Sequence, residues 1–449
     1  MIHTQQREEH KFLQFKKKIP PLVYIFLSFA CVIIVGSLLF MLPISTTEGN
    51  RLSFINSLFV SVSAVCVTGL SPINCAETFT VFGKIVLALL IQIGGLGFVT
   101  LFSFLILAIS GKLSFSNKVL VKETLNQNNF KDLFKLLKFI IIFTFSTELI
   151  GTLISLIVFA QDYDFLTALG ISAFHAISSF NNAGFDIIGA SSLANYTDNI
   201  LLNLNTCLLI IVGGIGFLVI QDIFVHHSWK KFSIQTKIVL STNFFLLIFS
   251  FLIVKLLEGN QITWLQAFFY SVNLRTAGFS TFDNATTLNN STAAISLIFM
   301  LIGASPLSTG GGIKTTTLYV MIKSLTSFAK GKKTVVYCRE ISAETKVKAF
   351  MLAIFANTFI NFITAIIFLI EGDTYSYIQI VYEATSAFGT VGLSMGITSS
   401  LRGWSKLCIC FLMFFGRLGP VSFLNIWNPH INRPVKENVS FIPTNIMIG

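Results

Sequence analysis

The sequence predicts an all-α membrane protein built from four similar repeats, and three observations carry this prediction. Of the 449 residues, 53% are hydrophobic and only 11% are charged, which leaves too little polar surface to cover a soluble globule of this size. Basic residues alternate along the chain with segments that almost lack them. A glycine-centred turn recurs four times, each time after a short apolar stretch.

Eight apolar runs are long enough to cross a hydrocarbon core, which needs about 20 helical residues. These runs are 20–43, 79–109, 136–160, 199–224, 236–257, 292–325, 349–370 and 406–427. The first run follows a polar, basic segment and has no small-residue cleavage pattern behind it. We therefore expect it to be a retained span and not a signal peptide.

Lysine and arginine are concentrated on one side of the predicted membrane. Of the 31 basic residues, 23 fall in the segments 1–19, 110–138, 226–237, 323–348 and 431–449. The four intervening segments hold only Arg51, Arg275 and Arg402, together with eleven of the 20 acidic residues. The positive-inside rule then predicts a multi-pass protein of the cell membrane with both termini in the cytoplasm. Topology thus accounts for the net charge of +11, and no nucleic-acid partner is expected.

Each of the less basic segments contains an apolar stretch that is too short to span, followed by a turn. The stretches are typical of re-entrant half-helices and cover 54–66, 166–180, 264–274 and 376–388. The turns are Val67-Thr68-Gly69, Asn182-Ala183-Gly184, Thr276-Ala277-Gly278 and Thr390-Val391-Gly392. A second glycine-containing patch begins 25, 29, 25 and 24 residues after these glycines. Close packing of helices would explain the second glycine patches by themselves. It does not explain why a glycine turn and a glycine patch recur together at similar spacing, so we predict an internal repeat.

The predicted repeats cover 20–109, 110–224, 225–330 and 331–430, between a basic cytoplasmic tail at 1–19 and a cytoplasmic C-terminal tail at 431–449. Each repeat consists of a helix, a half-helix, a loop and a second helix. Irregular backbone at membrane depth is tolerated only where it is buried in protein or lines water. Four pseudo-symmetric loops are therefore expected around a central pore.

Such loops have the chemistry of a selectivity filter for a monovalent cation. A ring of backbone carbonyls replaces the hydration shell of the ion, and glycine, which lacks a β-carbon, lets a carbonyl turn toward the axis. We predict that the twelve turn residues bind the ion. The sequence contains no paired carboxylates, nucleophile and base, or metal-ligand cluster that would indicate an enzyme or a bound metal other than the transported ion.

The predicted helix at 292–325 is interrupted by the run from Gly303 to Lys314, which contains four glycines and a proline. Such a run removes helical hydrogen bonds inside a span and indicates a cavity-lining segment. A proline-kinked helix is the alternative, whereas a nucleotide-binding loop would need an adjacent Gly-Lys and a preceding strand. Arg417 lies deep in the last span, where an arginine faces a bundle interior or water, unless it snorkels to the interface.

From about residue 20 to the C-terminus, the repeat, the single-glycine turns and the broken helix resemble the superfamily of Trk and Ktr potassium transporters, specifically the membrane subunit of the Ktr system. The resemblance implies a channel-like potassium uptake subunit in which Arg417 is an electrostatic barrier below the filter. It also implies an intramembrane gate loop. The gate residues would be Ser305, Pro306, Thr309, Gly310, Gly311, Gly312 and Lys314.

The resemblance further implies a homodimer and a cytoplasmic nucleotide-binding regulatory ring subunit (KtrA-like) that contacts the basic segment Lys323–Lys348. Contact with anionic membrane lipids is the other interpretation of this segment. The chain itself lacks a Rossmann-like strand and glycine turn, so no cofactor is expected in it beyond the potassium ion. Any control by a nucleotide would come from a separate protein.

Several alternatives stay open at this stage. One glycine per turn, in place of Thr-Val-Gly-Tyr-Gly, predicts fewer strong sites, so a sodium-permeable or Trk-type relative is the nearest alternative. A secondary transporter of organic substrates would have two broken helices of inverted topology, whereas these repeats run in one sense. Glu148, inside a span, is either a second ion site or a hydrogen-bonded carboxylate. Asp186, Asp283 and Glu383 lie near the turns and either concentrate cations or form a solvated rim.

Overall fold

The computed structural model describes residues 21–48, 51–97, 100, 103, 133–189, 192–282 and 284–419. The two predicted tails, the basic segment 110–132, Asp283 and the end of the last predicted span lie outside the described residues.

The described chain is mostly helical, with fourteen helices longer than one turn. They are α1 (Pro21–Phe40), α2 (Phe54–Val65), α3 (Val81–Leu96), α4 (Leu133–Phe159), α5 (Phe165–Phe180), α6 (Ile200–Ile215), α7 (Phe217–His226), α8 (Ile234–Glu258), α9 (Trp264–Asn273), α10 (Asn290–Leu301), α11 (Thr315–Ala329), α12 (Ala343–Glu371), α13 (Tyr377–Gly389) and α14 (Gly403–Leu418). One-turn helices lie at Cys75–Thr78 and Asn284–Thr287. A small hairpin of β1 (Val335–Val336) and β2 (Arg339–Glu340), which the sequence analysis did not foresee, precedes α12.

Helices α1, α4, α8 and α12 contain the windows that are long and apolar enough to cross a membrane within the described residues. Each carries large apolar side chains that are more than half exposed, for example Ile34, Leu149, Phe244 and Leu369. Water would not tolerate such belts, whereas hydrocarbon does. These four helices therefore place one face toward lipid, as expected of a multi-pass membrane protein.

Helices α2, α5, α9 and α13 correspond to the predicted half-helices within one or two residues at each end. Each begins at a side-chain cap, which satisfies backbone N–H groups at the start of the helix. The capping residues are Ser53, Asp164, Thr263 and Ser376. Each half-helix packs against the long helix that precedes it, so its buried C-terminal end is brought toward the centre of the bundle.

Within the described residues, the helices in the predicted spans 79–109, 199–224 and 406–427 do not continue through a glycine that was predicted to lie inside them. Helix α3 ends before Gly97 (φ +81°), helices α6 and α7 meet at Gly216 (φ +101°), and α14 ends before Gly419 (φ +80°). The α6–α7 pair is bent by 94°. A right-handed helix cannot continue through a positive φ, which glycine adopts at little cost. Gly216 is thus a break between two helices, and Gly97 and Gly419 end α3 and α14, whereas all three were predicted to lie inside helices.

The predicted interruption of the helix at 292–325 is present. Helix α10 ends at Leu301 and α11 begins at Thr315, and residues 302–314 between them form a loop without helical turns. The two ends of this loop are paired, since Gly303 N donates to Ile313 O at 2.9 Å and Ile313 N to Leu301 O at 3.2 Å. The segment is therefore a loop whose two ends are hydrogen-bonded to each other, and not a helix with a simple proline kink.

Candidate ion pathway

The four glycine turns meet and form a closed ring. Each turn glycine lies against the backbone carbonyl of the residue that precedes the next turn glycine. The pairs are Gly69 with Ala183, Gly184 with Ala277, Gly278 with Val391, and Gly392 with Thr68. A β-carbon on Gly278 would lie 2.6 Å from the Val391 oxygen and 3.1 and 3.3 Å from the α-carbons of Gly392 and Gly184. The turns are thus in cyclic order, with glycine backbone on the inside.

The first and third residues of every turn have a positive φ. The angles are 56° and 97° for Val67 and Gly69, 58° and 66° for Asn182 and Gly184, 69° and 81° for Thr276 and Gly278, and 51° and 91° for Thr390 and Gly392. For β-branched Val67, Thr276 and Thr390 this conformation is a genuine outlier that costs about 1–3 kcal/mol per residue. Only a surrounding structure that strongly constrains the turns can maintain it.

One polar side chain in each half-helix supplies part of that constraint. Ser63 Oγ accepts from Gly69 N at 3.1 Å, and Ser386 Oγ accepts from Gly392 N at 3.1 Å. Asn273 Oδ1 accepts from Phe279 N at 2.9 Å, and Ser178 Oγ donates to Phe185 O at 2.6 Å. These four residues were not among the site residues predicted from the sequence. A polar residue five or six positions before each turn glycine was the available signal.

A vestibule of about 580 Å³ opens on one side of the ring. It is lined by the four turn glycines and by residues that follow them, and Asp186 is the only charged residue among the described residues that line it. Burial raises the pKa of the Asp186 carboxyl to about 6, and hydrogen bonds from the Ser192 side chain and from the backbone of Ile188 and Gly189 oppose this rise. Asp186 therefore lies at the mouth, where the sequence analysis placed it.

Glu383 is not at the mouth. It is 1% exposed in α13, and its carboxylate accepts hydrogen bonds from Ser394 Oγ at 3.2 Å and from Thr398 Oγ1. Both hydroxyl residues line the vestibule. The acid is thus one layer behind the vestibule wall, because the buried face of the half-helix points away from water.

The predicted gate loop contacts the ring on the side opposite the vestibule. Gly311 N donates to Thr390 Oγ1 at 2.9 Å, and the Thr309 hydroxyl lies 3.2 Å from the side-chain amide of Asn182. A β-carbon on Gly310 would collide with Thr276 Oγ1. The loop therefore contacts the first residue of three turns, whereas the vestibule is lined from the glycines onward.

The loop also forms backbone hydrogen bonds with the second helices of the second and fourth predicted repeats, close to the glycines where these helices end or bend. Backbone hydrogen bonds join Ser305 N to Gly214 O at 3.1 Å, Thr309 N to Gly213 O at 3.3 Å, Gly312 N to Gly416 O at 3.3 Å and Phe217 N to Leu307 O at 2.9 Å. Pro306 adds no N–H that would need a partner, and its carbonyl lies close to Gly216. Polar backbone inside the membrane is therefore satisfied by other irregular backbone.

Two cationic side chains lie at the loop. Arg417 donates to Thr309 O in the loop, to Gly94 O and, at 3.0 Å, to Gly95 O at the end of α3. Lys314 Nζ donates to Gly310 O at 2.8 Å. Neither side chain forms an ion pair with a carboxylate within the described residues. Arg417 is thus held by carbonyls in the bundle interior and does not snorkel.

Glu148 is buried in α4 and hydrogen-bonded, one of the two alternatives left open by the sequence. Asn181 Nδ2 lies 3.1 Å from Glu148 Oε1 and 2.9 Å from Gln92 Oε1. Asn181 directly precedes the turn residue Asn182. The carboxylate is therefore part of a polar contact between α3, α4 and the end of the half-helix α5.

Multi-pass helices, four half-helices and a closed ring of glycine turns define the class as a helical membrane transport protein. The chain belongs to the TrkH family, described as cation transport protein, which it matches over residues 28–265 and 259–426.

Relatives and a solved structure extend this result. The chain is 38% identical to the Ktr system potassium uptake protein B of Bacillus subtilis, with 93% of this chain and 95% of that protein covered. It is 35% identical to the potassium/sodium uptake protein NtpJ of Enterococcus hirae, with 97% and 98% covered. The crystal structure of the potassium transporter TrkH from Vibrio parahaemolyticus matches with a TM-score of 0.68 at 18% identity, covering 91% of this chain and 84% of that one.

Proposed function

We propose that this chain is the pore-forming subunit of a channel-like transporter that takes up potassium down its electrochemical gradient. The closed ring of Gly69, Gly184, Gly278 and Gly392 is the observation that carries the proposal. Carbonyl oxygens around a ring that excludes side chains can replace the hydration shell of a monovalent cation. The C-terminal ends of four half-helices adjoin the ring and add negative partial charge there.

In this proposal, the loop at 302–314 is the gate and Arg417 holds it closed. The loop contacts the inner side of the filter, and its position depends on contacts from Arg417 and from the helix breaks. A fixed positive charge next to the pathway also repels a passing cation. Opening requires the loop to leave these contacts, so the filter selects the ion and the loop controls its passage.

Sodium permeation is the second candidate, because one of the relatives is described as a potassium/sodium uptake protein. The filter turns here contain one glycine each, which limits the number of stacked carbonyl rings. An assay of this chain should therefore measure both ions.

In the assembly we propose, this chain forms a homodimer with both termini of each copy in the cytoplasm. A cytoplasmic nucleotide-binding regulatory ring subunit (KtrA-like) binds to it. Support comes from the basic segment Lys323–Lys348 and from relatives described as parts of a Ktr system. Lys237 lies over the Tyr337 ring at 5.4 Å from its centroid, so the hairpin that begins at Val335 packs close to the start of α8. A partner that binds this region is in a position to act on α11, which leads directly to the gate.

Growth of a potassium-uptake-deficient bacterium that expresses this chain tests the proposal. We expect rescue at low external potassium, with greater growth when a regulatory subunit is co-expressed. Failure in both cases, with the protein verified in the membrane, would contradict potassium uptake. Rescue that requires sodium, or sodium accumulation in the same cells, would favour the second candidate.

Replacement of Asp186 by asparagine should lower uptake at subsaturating potassium by about two- to fivefold at pH 7, the effect of roughly 0.5–1 kcal/mol of attraction across solvent. The pKa of this carboxyl is about 6, so the charge is present above that pH and lost below it. Wild-type uptake should therefore fall between pH 7 and pH 5, and the variant should lack this component.

Asp198→Asn is the matched control, because Asp198 is exposed and does not line the vestibule. It should keep both the rate and the pH profile of the wild type. High ionic strength should reduce the difference between Asp186→Asn and wild type, since salt screens attraction across water. Equal pH profiles in the wild type and Asp186→Asn would refute a role for this charge.

A further inference from the structure

Arg275 directly precedes the third filter turn, and its guanidinium has an unusual environment. Its Nη2 donates to Asn243 Oδ1 on α8, and its Nε is buried with no hydrogen-bond partner in the described structure. No ion pair with a carboxylate is present for it within the described residues. A charged group next to the filter is thus oriented by a single neutral side chain.

Asn243 is also connected to the gate loop. Its Nδ2 donates to Ser305 Oγ at 3.0 Å, and Thr315 Oγ1 donates to the same Ser305 oxygen at 3.1 Å. Ser305 lies near the start of the loop and Thr315 is the first residue of α11. The Asn243 amide therefore contacts Arg275, next to the third filter turn, and Ser305, near the start of the gate loop. Ser305 in turn contacts the first residue of α11.

A cavity of about 20 Å³ separates these groups from the break between α6 and α7. Asn243, Arg275, Gly214 and Ala304 are among its lining residues. This volume holds about one water molecule. The Arg275 side chain consequently has some room to shift if its contact with Asn243 is lost, whereas a fully packed site would hold it in place.

We propose that Asn243 is a positioning residue that couples the gate loop to the third filter turn, so that ion selectivity depends on the position of the gate. With the loop in place, Ser305 orients the Asn243 amide, and the amide orients Arg275. When the loop moves away, the amide loses Ser305 and keeps from its Nδ2 only the bond to Val239 O in its own helix, at 2.8 Å, so it is less constrained about its side-chain torsions. Arg275 and the adjoining Thr276-Ala277-Gly278 then lose a constraint.

This inference rests on the proposed function, because it takes the ring as a filter and the loop as its gate. It goes further, since a filter and a gate that act independently need no side chain between them. Independent action predicts that loosening the loop changes potassium and sodium fluxes by the same factor. Coupling predicts that the ratio of the two fluxes changes as well.

The test uses the full-length protein in lipid vesicles and measures potassium and sodium flux for each variant. Asn243→Leu removes the contacts with both Arg275 and Ser305. Ser305→Ala removes the hydroxyl, and Ser305→Thr restores one at the same position. A neutral hydrogen bond contributes about 0.5–1.5 kcal/mol, so we expect the flux ratio to change by about two- to tenfold in Asn243→Leu and Ser305→Ala, with recovery in Ser305→Thr.

Asn361→Leu is the control, because Asn361 is exposed on α12 and bonds only to the carbonyl of Asn357 in its own helix in the contacts seen here. It should keep the wild-type flux ratio. The double variant of Asn243→Leu and Ser305→Ala should have the ratio of Asn243→Leu alone, because both substitutions break the same contact.

Three outcomes would overturn the coupling: an unchanged ratio in every variant, a double variant whose effect is the product of the single effects, or an equal change in Asn361→Leu. Loss of protein from the membrane in Asn243→Leu leaves the decision to Ser305→Ala and its recovery in Ser305→Thr, which are smaller changes. Failure of the proposed function is distinguishable, because the wild type would then carry neither ion, and the coupling would fall with it.

Discussion

Replacement of Gly278 by alanine should reduce the apparent potassium affinity of uptake by about 10- to 100-fold and weaken discrimination against sodium. Gly278 has φ +81°, a conformation that costs a non-glycine residue about 1–3 kcal/mol, and 1.4 kcal/mol corresponds to a factor of ten. The new β-carbon would also lie 2.6 Å from the Val391 carbonyl oxygen. The ring must therefore distort where its carbonyls would bind the ion.

Substitutions at two other glycines separate the cost of the positive φ from the effect of the close contact inside the ring. Gly170 lies in the half-helix α5, where a β-carbon would meet nothing within 4 Å, so Gly170→Ala should leave uptake unchanged. Gly372 has φ +64° but also open space around it, so Gly372→Ala tests the cost of the backbone conformation away from the ring. Concentration-dependent uptake of potassium and sodium is the measurement. Wild-type affinity and selectivity in Gly278→Ala would contradict the filter assignment.

Replacement of Arg417 by glutamine should increase potassium flux by about tenfold or more. The guanidinium joins Thr309 O in the gate loop to the carbonyls of Gly94 and Gly95. Hydrogen bonds from a charged group contribute about 1.5–3 kcal/mol, so their loss should shift the loop toward open arrangements. Removal of the positive charge also lowers the barrier for a cation. Unchanged or lower flux in Arg417→Gln would contradict both parts of this role.

Arg417→Lys distinguishes the effect of the positive charge from the effect of the hydrogen bonds that hold the loop, which we call the tether. Lysine keeps the positive charge but lacks the planar fork that contacts carbonyls on two segments at once. If the tether dominates, flux should rise nearly as far as in Arg417→Gln. If the charge dominates, flux should stay near the wild-type value. Arg402→Gln is the control, because Arg402 is an exposed residue at the start of α14, away from the loop.

The sequence predicted the parts of the site that depend on local pattern. Apolar length identified α1, α4, α8 and α12, and short apolar stretches identified the half-helices because each begins at a local cap and ends at a turn. All twelve turn residues lie in the closed ring or directly beside it. A glycine after a short helix restricts the backbone within a few residues, so its signal is visible without any tertiary contact.

The points where the second helix of a repeat ends or bends could not be predicted in the same way. Gly97, Gly216 and Gly419 are compatible with a packed membrane helix and with a break, and local pattern does not choose between the two. The choice depends on what the freed backbone contacts, such as the bond from Phe217 N to Leu307 O. Ser63, Ser178, Asn273 and Ser386 were missed because a serine or asparagine is equally common in a merely packed helix.

By itself, the sequence determined the class of fold, the positions of the four short helices and the residues of the four turns, because these follow from apolar length and backbone preference. Only the tertiary structure decided that the turns close into one ring, that 302–314 contacts it, and that Arg417 reaches Gly94 across 323 positions of the chain. It also brought Arg275, Asn243 and Ser305 together. Such contacts join distant segments, and their energy depends on a geometry that no short stretch of sequence contains.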